Sequence, residues 1–244
     1  MDSQLTMRKR NGDGDTTPSL SIPRVVMFDL DGTLVDTMQI FAGVASRILA
    51  CHAGLQIERA CSLYLETSGI PFWEQLEIIV PDHPNKEHMA SMFESEKIAA
   101  TSDVVMSRPT CAALQTLRMH GISFGISSNN YQRNVQRFAA LSEIEFEFAL
   151  GCTPAMRKGR PHMDYVTEHF QCRPQDIVFV GDSHSDARMA YECGMRFIAV
   201  LTSFTRESFR ERFLNVPCVD TVSCLPRLFG LTGSRHYRAE GATL

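Results

Sequence analysis

Val25-Val26-Met27-Phe28-Asp29-Leu30-Asp31-Gly32-Thr33-Leu34-Val35-Asp36-Thr37 decides how the rest of the chain is read. An apolar, partly β-branched run stops abruptly at two acids and a glycine, and such a run reads as a buried strand of a parallel sheet. Ligands of open α/β sheets bind beyond the carboxyl ends of the strands, so this strand delivers Asp29 and Asp31 to the place where chemistry occurs. A two-residue spacing keeps both side chains on one side of an extended backbone, and Gly32 allows the sharp turn that follows. An isolated Asp-x-Asp-Gly is equally an acidic, solvated turn; the longer pattern on either side separates the two readings.

Further along, the chain alternates between helical and strand patterns. From Met38 to about Lys97 the apolar positions recur with helical period, Phe41, Val44, Ile48 and Leu49 sharing one face, with no convincing strand. Gly69-Ile70-Pro71 and Pro81-Asp82-His83-Pro84 interrupt the pattern, which predicts an inserted unit of about four short helices. Pro109 suits the first turn of the next helix. Strands are then expected at Ile122 to Ser127, at Phe146 to Leu150, at Ile177 to Val180 and at Phe197 to Leu201, with helices between them. That alternation predicts a parallel sheet with right-handed crossovers. After Thr202 the pattern loses definition.

Composition sets the outer bounds. A chain of 244 residues, 44% of them hydrophobic, can bury a substantial core. A net charge of -4 with scattered basic residues offers no footprint for nucleic acid, and no apolar run approaches the roughly 20 residues of a membrane span. Residues 1–22 are polar and carry acids, which predicts a disordered extension; residues 231–244 read as a loose tail. The eight cysteines form no Cys-x-x-Cys pair, which fits reduced thiols in a cytoplasmic protein.

Two further polar stations follow strands. Gly181-Asp182-Ser183-His184-Ser185-Asp186 supplies oxygen ligands suited to a hard cation such as Mg²⁺, although an ordinary helix cap has the same composition. Ser127-Ser128-Asn129 offers hydroxyl and amide donors for a phosphate oxygen, or a plain polar turn.

The stretch DLDGTLVDT resembles the first motif, Asp-x-Asp-Gly-Thr-x-x-Asp, of the haloacid dehalogenase superfamily, in its phosphoglycolate phosphatase and β-phosphoglucomutase-like branch. The resemblance implies a HAD-like α/β Rossmannoid fold, a parallel sheet sandwiched by helices, with a helical-bundle cap inserted after the first strand. It places the core at residues 23–36 and 108–230 and the cap at 37–107. It implies Mg²⁺-dependent hydrolysis of a small phosphorylated metabolite, with Asp29 the nucleophile that becomes an aspartyl phosphate and Asp31 the general acid and base. GDSHSD resembles the fourth motif, which implies metal binding by Asp182 and Asp186 together with Asp29 and the Asp31 position, a backbone carbonyl sufficing as one ligand. His184 has no counterpart there and reads as a solvated loop residue. Ser128 and Asn129 fit the second motif as phosphate contacts, with Ser127 one residue away as the alternative.

The third motif, Lys-Pro-x-Pro-Asp, fits less directly. Aligning Pro161 and Asp164 puts Arg160 at the lysine position, the register preferred from the sequence, while Lys158 two residues earlier is the other candidate. A cation is required near Asp29, because carboxylates and a phosphate dianion otherwise repel one another at short range. Arginine in this motif keeps open a phosphonoacetaldehyde-hydrolase-like reading, in which a cap lysine forms a Schiff base. A β-phosphoglucomutase-like activity and a non-catalytic phosphate-ligand-binding relative also remain open, and the oligomeric state is not assigned. In the cap, Thr67 to Gln75 breaks the helical pattern and carries the single tryptophan. By resemblance this loop reaches over Asp29; the plainer reading packs Trp73 between cap helices.

Overall fold

The computed structural model describes residues 20–231. Strand β1 (Val25–Phe28) is fully buried and pairs in parallel with β2 (Ser123–Tyr131) on one side and β4 (Ile177–Gly181) on the other. With β3 (Ala149–Cys152), β5 (Arg196–Val200) and β6 (Cys218–Val219), the sheet runs in the order β3-β2-β1-β4-β5-β6, every pairing parallel. The chain fills one half of the sheet from β1 outward, then returns to the other side of β1 and builds the second half. The reversal of strand order leaves a crevice at the carboxyl ends of β1, β2 and β4.

The period of two in β1 divides the core into two layers. Val26 and Phe28 face one layer, with Phe124, Ile126, Leu114 and Val180, while Val25 and Met27 face the other, with Phe179, Val166 and Ala187. Burial on both faces is why the strand reads as an unbroken apolar run. The layers are closed by α5 (Arg108–Met119), α6 (Gln132–Leu141), α7 (Arg160–Phe170) and α8 (His184–Glu192). Helix α5 starts where proline and capping chemistry place it: Thr110 N–H donates to Ser107 Oγ at 3.2 Å, with Pro109 in the first turn.

Between β1 and α5 lie α1 (Met38–Ala53), α2 (Ile57–Glu66), α3 (Phe72–Ile79) and α4 (Lys86–Ala100). They pack around their own core of Phe41, Leu49, Tyr64, Leu76, Met89 and Phe93, with the Phe72 and Phe93 rings 4.3 Å apart. Pro71 stands at the start of α3 and Pro81 just beyond its end, where each proline stops the backbone ladder.

The structure departs from the sequence reading in four places. Strand β2 continues through Ser128 and Asn130 to Tyr131, and its register against β3 shifts after Ser127. Strand β3 begins at Ala149, and Phe146 instead packs edge-on against Phe124 at 5.9 Å. Beyond Thr202 the chain forms α9 (Arg206–Arg212), the two-residue β6 and α10 (Leu225–Leu228), elements too short to show periodicity. Finally, the polar extension does not run to residue 22, because Leu20 N–H donates to the Leu228 carbonyl at 3.0 Å and Arg196 donates to Ser21. Leu231, counted in the tail, is buried in the core. The remainder of both terminal readings, residues 1–19 and 232–244, lies outside the described residues. Among the described residues no helix is long and apolar enough to cross a membrane, and all eight cysteines are free thiols.

His162 ties α7 to the sheet. It is fully buried, with Nε2 3.2 Å from the Gly151 carbonyl and Nδ1 2.9 Å from Ser127 Oγ. A carbonyl only accepts, so Nε2 carries the proton and Nδ1 accepts from the Ser127 hydroxyl. Burial pushes His162 from 6.5 down to about 4, with the Lys158 charge acting in the same direction and the Gly151 bond opposing. The unfolded chain therefore takes up a proton that the folded chain refuses. This contribution leaves stability intact above about pH 6.5 and erodes it as pH falls from 6.5 toward 4. We expect His162→Gln to flatten the fall in urea midpoint between pH 7 and pH 5 relative to wild type, and equal slopes would count against this assignment.

Candidate active site

Asp29 follows β1 directly, and its N–H donates to the Val180 carbonyl at 2.9 Å, so the sheet ladder carries it to the crevice. Its buried carboxylate meets Lys158 across the site, with Oδ1 2.6 Å from Nζ. The same Nζ lies 2.5 Å from Asp186 Oδ1, and the lysine side chain is only 4% exposed. Burial alone would lower the Lys158 pKa, but the neighbouring Asp186 and Asp29 outweigh it and hold the ammonium above its ordinary range. Burial pushes Asp29 up to about 7; Lys158 opposes that rise, while Asp186 and Asp31 add to it.

Asp182 and Asp186 arrive from the end of β4 and the first turn of α8. Ser183 and Asp186 form a capping box: Ser183 Oγ accepts from Asp186 N–H at 3.0 Å, and Asp186 Oδ2 accepts from Ser183 N–H at 3.2 Å. The helix cap read from composition is therefore real, and it leaves Asp186 Oδ1 to face Lys158. Asp182 accepts from Ser203 Oγ, and burial followed by Asp29 and Asp186 pushes it well above the usual carboxylate range. It packs where only glycine fits: a Cβ on Gly32, at φ +84°, would fall 2.2 Å from Asp182 Oδ2. Asp29, Asp182 and Asp186 each offer a carboxylate oxygen within 4.8 Å of the others.

Asp31 stands apart from that cluster. Its Oδ1 accepts from Thr37 Oγ1 at 2.9 Å and its Oδ2 from Asn130 Nδ2 at 3.2 Å. Its carboxylate is thus held by hydrogen bonds at the cavity wall, outside the group of three converging acids.

Ser128 lines the cavity, with Oγ accepting from Asn130 N–H at 3.0 Å and donating to no acceptor among the described residues. Ser127 is turned inward to His162, which separates the two registers. The Asn129 amide is engaged elsewhere, donating to the Gly69 carbonyl of the cap loop at 3.1 Å.

Two sequence readings are corrected here. Arg160 is exposed and its guanidinium donates to the Glu192 carbonyl at 3.1 Å, so Lys158, not Arg160, is the cation brought to Asp29. Pro161, in the first turn of α7, corresponds to the second proline of Lys-Pro-x-Pro, which puts Gly159 at the first and Lys158 at the lysine. His184 is not a solvated loop residue. It opens α8, is 8% exposed, packs with its ring centroid 4.1 Å from that of Phe204 at a tilt of 32° and pairs with Ser208 Oγ at 3.0 Å.

The cap loop does reach the core. Gly69, at φ +94°, sits so close that an added Cβ would lie 2.4 Å from Ser183 Oγ. Gln75 is buried and braces the loop, donating to the Ile70 carbonyl at 3.0 Å and accepting from Thr67 Oγ1 at 2.9 Å. Trp73 is 48% exposed at the cavity mouth, its ring 5.9 Å from the Arg157 guanidinium, and is not packed between cap helices.

The cavity enclosed by cap and core holds about 100 Å³ and has Asp29, Asp31, Ser128, Lys158 and Asp182 on its floor. Tyr64, Glu94 and Lys97 of the cap form part of its roof. Burial, reinforced by Asp31, Glu94 and Asp182, pushes the Tyr64 phenol up, so it stays protonated. A larger and more apolar cavity of about 340 Å³ adjoins Asp31, Asn130 and Lys97 beside the 101–106 linker. Sequence reasoning assigned no role to Thr37 and Asn130, although both stand in or beside the quoted motifs. Ser203, Tyr64 and Lys97 carry no local signal.

The haloacid dehalogenase-like hydrolase pattern matches residues 26–200, a span that includes every acid of the site. Among curated proteins, the chain is 24% identical over 193 residues to a phosphoglycolate phosphatase of Pseudomonas putida, covering 74% of this chain and 70% of that protein. It is also 24% identical over 195 residues to the pyrophosphatase PpaX of Oceanobacillus iheyensis, covering 78% and 89%. Among solved structures, a haloacid dehalogenase-like hydrolase from Streptococcus pneumoniae superposes with a TM-score of 0.70 at 18% identity, covering 84% of this chain and 98% of that one. CbbY from Rhodobacter sphaeroides in complex with phosphate superposes with a TM-score of 0.64 at 16% identity, covering 83% and 96%. Sequence pattern and architecture agree over the strands that bring Asp29, Lys158 and Asp182 together, and the chain belongs to the haloacid dehalogenase-like hydrolase family.

Proposed function

We propose that this protein is a Mg²⁺-dependent phosphatase that hydrolyses a small phosphomonoester through an aspartyl phosphate on Asp29. The observation that carries this reading is the pairing of Asp29 with Lys158 at 2.6 Å beside an Asp31 carboxylate fixed by Thr37 and Asn130. In the first step a carboxylate oxygen of Asp29 attacks phosphorus, the bond to the ester oxygen breaks, and Asp31 in its acid form protonates the departing alkoxide. In the second, Asp31 takes a proton from water, which attacks phosphorus, releases phosphate and restores Asp29. Lys158 and the Ser128 hydroxyl face the phosphoryl oxygens and offset the charge that accumulates there.

Three buried carboxylates around one lysine leave excess negative charge, and an all-oxygen donor set suits a hard cation, so Asp29, Asp182 and Asp186 fit Mg²⁺. When bound, the ion would neutralise charge on the transferring phosphoryl group. The curated relatives, a phosphoglycolate phosphatase and a pyrophosphatase, and a structural neighbour bound to phosphate support the reaction class. The Schiff-base reading has less support. Lys97, the cap lysine at the cavity, is ion-paired with Glu94 at 2.8 Å, whereas a Schiff base starts from a free amine. Release of inorganic phosphate, in place of an isomerised ester, separates the phosphatase from a mutase.

Turnover of p-nitrophenyl phosphate with and without Mg²⁺ tests the proposal. Asp29→Asn should lower kcat by at least about a thousandfold, as expected for loss of a nucleophile. Asp182→Ala should abolish Mg²⁺ binding by calorimetry with the far-UV spectrum unchanged; undiminished Mg²⁺ affinity would overturn the ligand assignment.

The two candidate cations are separated by substitution. Lys158→Met should reduce kcat by roughly a hundredfold, the scale of losing one charge-stabilising donor, while Arg160→Ala should stay within about threefold of wild type. The opposite ranking would return the third motif to the Arg160 register.

A further inference from the structure

We propose that Tyr64, Glu94 and Lys97 form the subsite that selects the leaving group, and that they select an uncharged alcohol bearing additional hydroxyls, as in a polyol or sugar phosphate. This rests on the phosphatase reading and adds the substrate class. Among the described residues Lys97 is one of the few buried cations, its side chain 9% exposed and its Nζ 5.5 and 5.6 Å from the Phe93 and Phe41 rings. Its Nζ donates to Glu94 Oε1 at 3.0 Å and lies 2.8 Å from Oε2. Oε2 is itself buried and makes no hydrogen bond among the described residues. A largely buried ion pair is a weak source of stability compared with apolar packing, so its presence on the roof of a reaction cavity, with the Glu94 side chain 23% exposed, points to recognition. Tyr64 supplies a second, independent sign: it is 4% exposed, it lines the same cavity, and its hydroxyl has no partner among the described residues.

These three groups match a hydroxyl. A hydroxyl both donates and accepts; the Glu94 carboxylate, both of whose oxygens lie within 3.0 Å of the Lys97 ammonium, keeps lone pairs for a further donor, and the Tyr64 hydroxyl and the Lys97 ammonium are donors. Phe41, Phe72, Phe93 and Trp73 line the same cavity and offer apolar cover for the C–H faces of a carbon chain. A leaving group with its own carboxylate or phosphate fits poorly. It would meet Glu94 on the roof and Asp31 and Asp182 on the floor, with the Lys97 charge already balanced by Glu94. The curated relatives named for phosphoglycolate and pyrophosphate take leaving groups of that charged kind, so the inference separates this chain from them.

The test compares kcat/KM of the full-length protein with Mg²⁺ on glycerol 1-phosphate and hexose 6-phosphates against 2-phosphoglycolate and pyrophosphate, with p-nitrophenyl phosphate as the control for chemistry. We expect at least one hydroxylated ester to exceed both charged substrates by about tenfold or more. Glu94→Gln, which keeps size and removes the charge, should shift the ratio of hydroxylated ester to phosphoglycolate about tenfold toward phosphoglycolate, chiefly through KM. Tyr64→Phe should raise KM for the hydroxylated ester more than it lowers kcat. Preference of the wild type for phosphoglycolate or pyrophosphate, with aryl phosphate turned over, overturns the subsite and leaves the phosphatase reading standing. Equal losses on every substrate in the isosteric variants overturn it as well. Absence of Mg²⁺-dependent turnover on all substrates, aryl phosphate included, removes the reading on which it rests and the inference with it.

Discussion

The site depends on one buried ammonium. Lys158 lies 2.6 Å from Asp29 and 2.5 Å from Asp186, so a single positive charge offsets the repulsion between acids that the sheet and α8 bring into one crevice. Removing that charge would leave uncompensated carboxylates in a desolvated place, which is far costlier than breaking a surface pair. The acids cannot relax away, because Asp29 is fixed by the β1–β4 ladder and Asp186 by the capping box that starts α8. The raised pKa values of Asp29 and Asp182 express the same crowding: burial is the largest cause in both, with neighbouring acids adding to it.

The second constraint is the seating of the cap. Gly69 touches the α8 entry at a distance no side chain would tolerate, and its carbonyl is held by Asn129 from the end of β2. The loop thus bridges the ends of β2 and β4, which also supply Ser128 and Asp182 to the cavity, and Gln75 keeps its shape from within the cap. Beneath the seated loop Asp29, Asp182 and Asp186 are buried, which strengthens the electrostatic interactions among them.

The sequence by itself determined the strand that carries Asp29 and Asp31, the run of four helices before α5, and the order of the polar stations. Each of these is written in local pattern: β-branched runs ending in acids, apolar residues at helical spacing, and prolines at element boundaries. What only the tertiary structure decided is which side chain turns toward which. Lys158 and Asp29 are 129 positions apart, and Ser127 and His162 are 35 apart, so neither pairing leaves a mark on its neighbours in sequence. Arg160 and Lys158 both carry a positive charge, and Pro161 fits either proline of the motif, so only the direction of the chain entering α7 separates them. His184 sits among Ser and Asp and reads as wet, yet Ser183 caps the helix and turns the ring into an aromatic pocket formed by α9 residues and Phe204. Tyr64 and Lys97 lie on different cap helices, α2 and α4, and come to line one cavity because both helices pack against α1. Local pattern records backbone conformation and burial; the convergence of polar groups from distant elements is a property of packing, and packing has no short-range code.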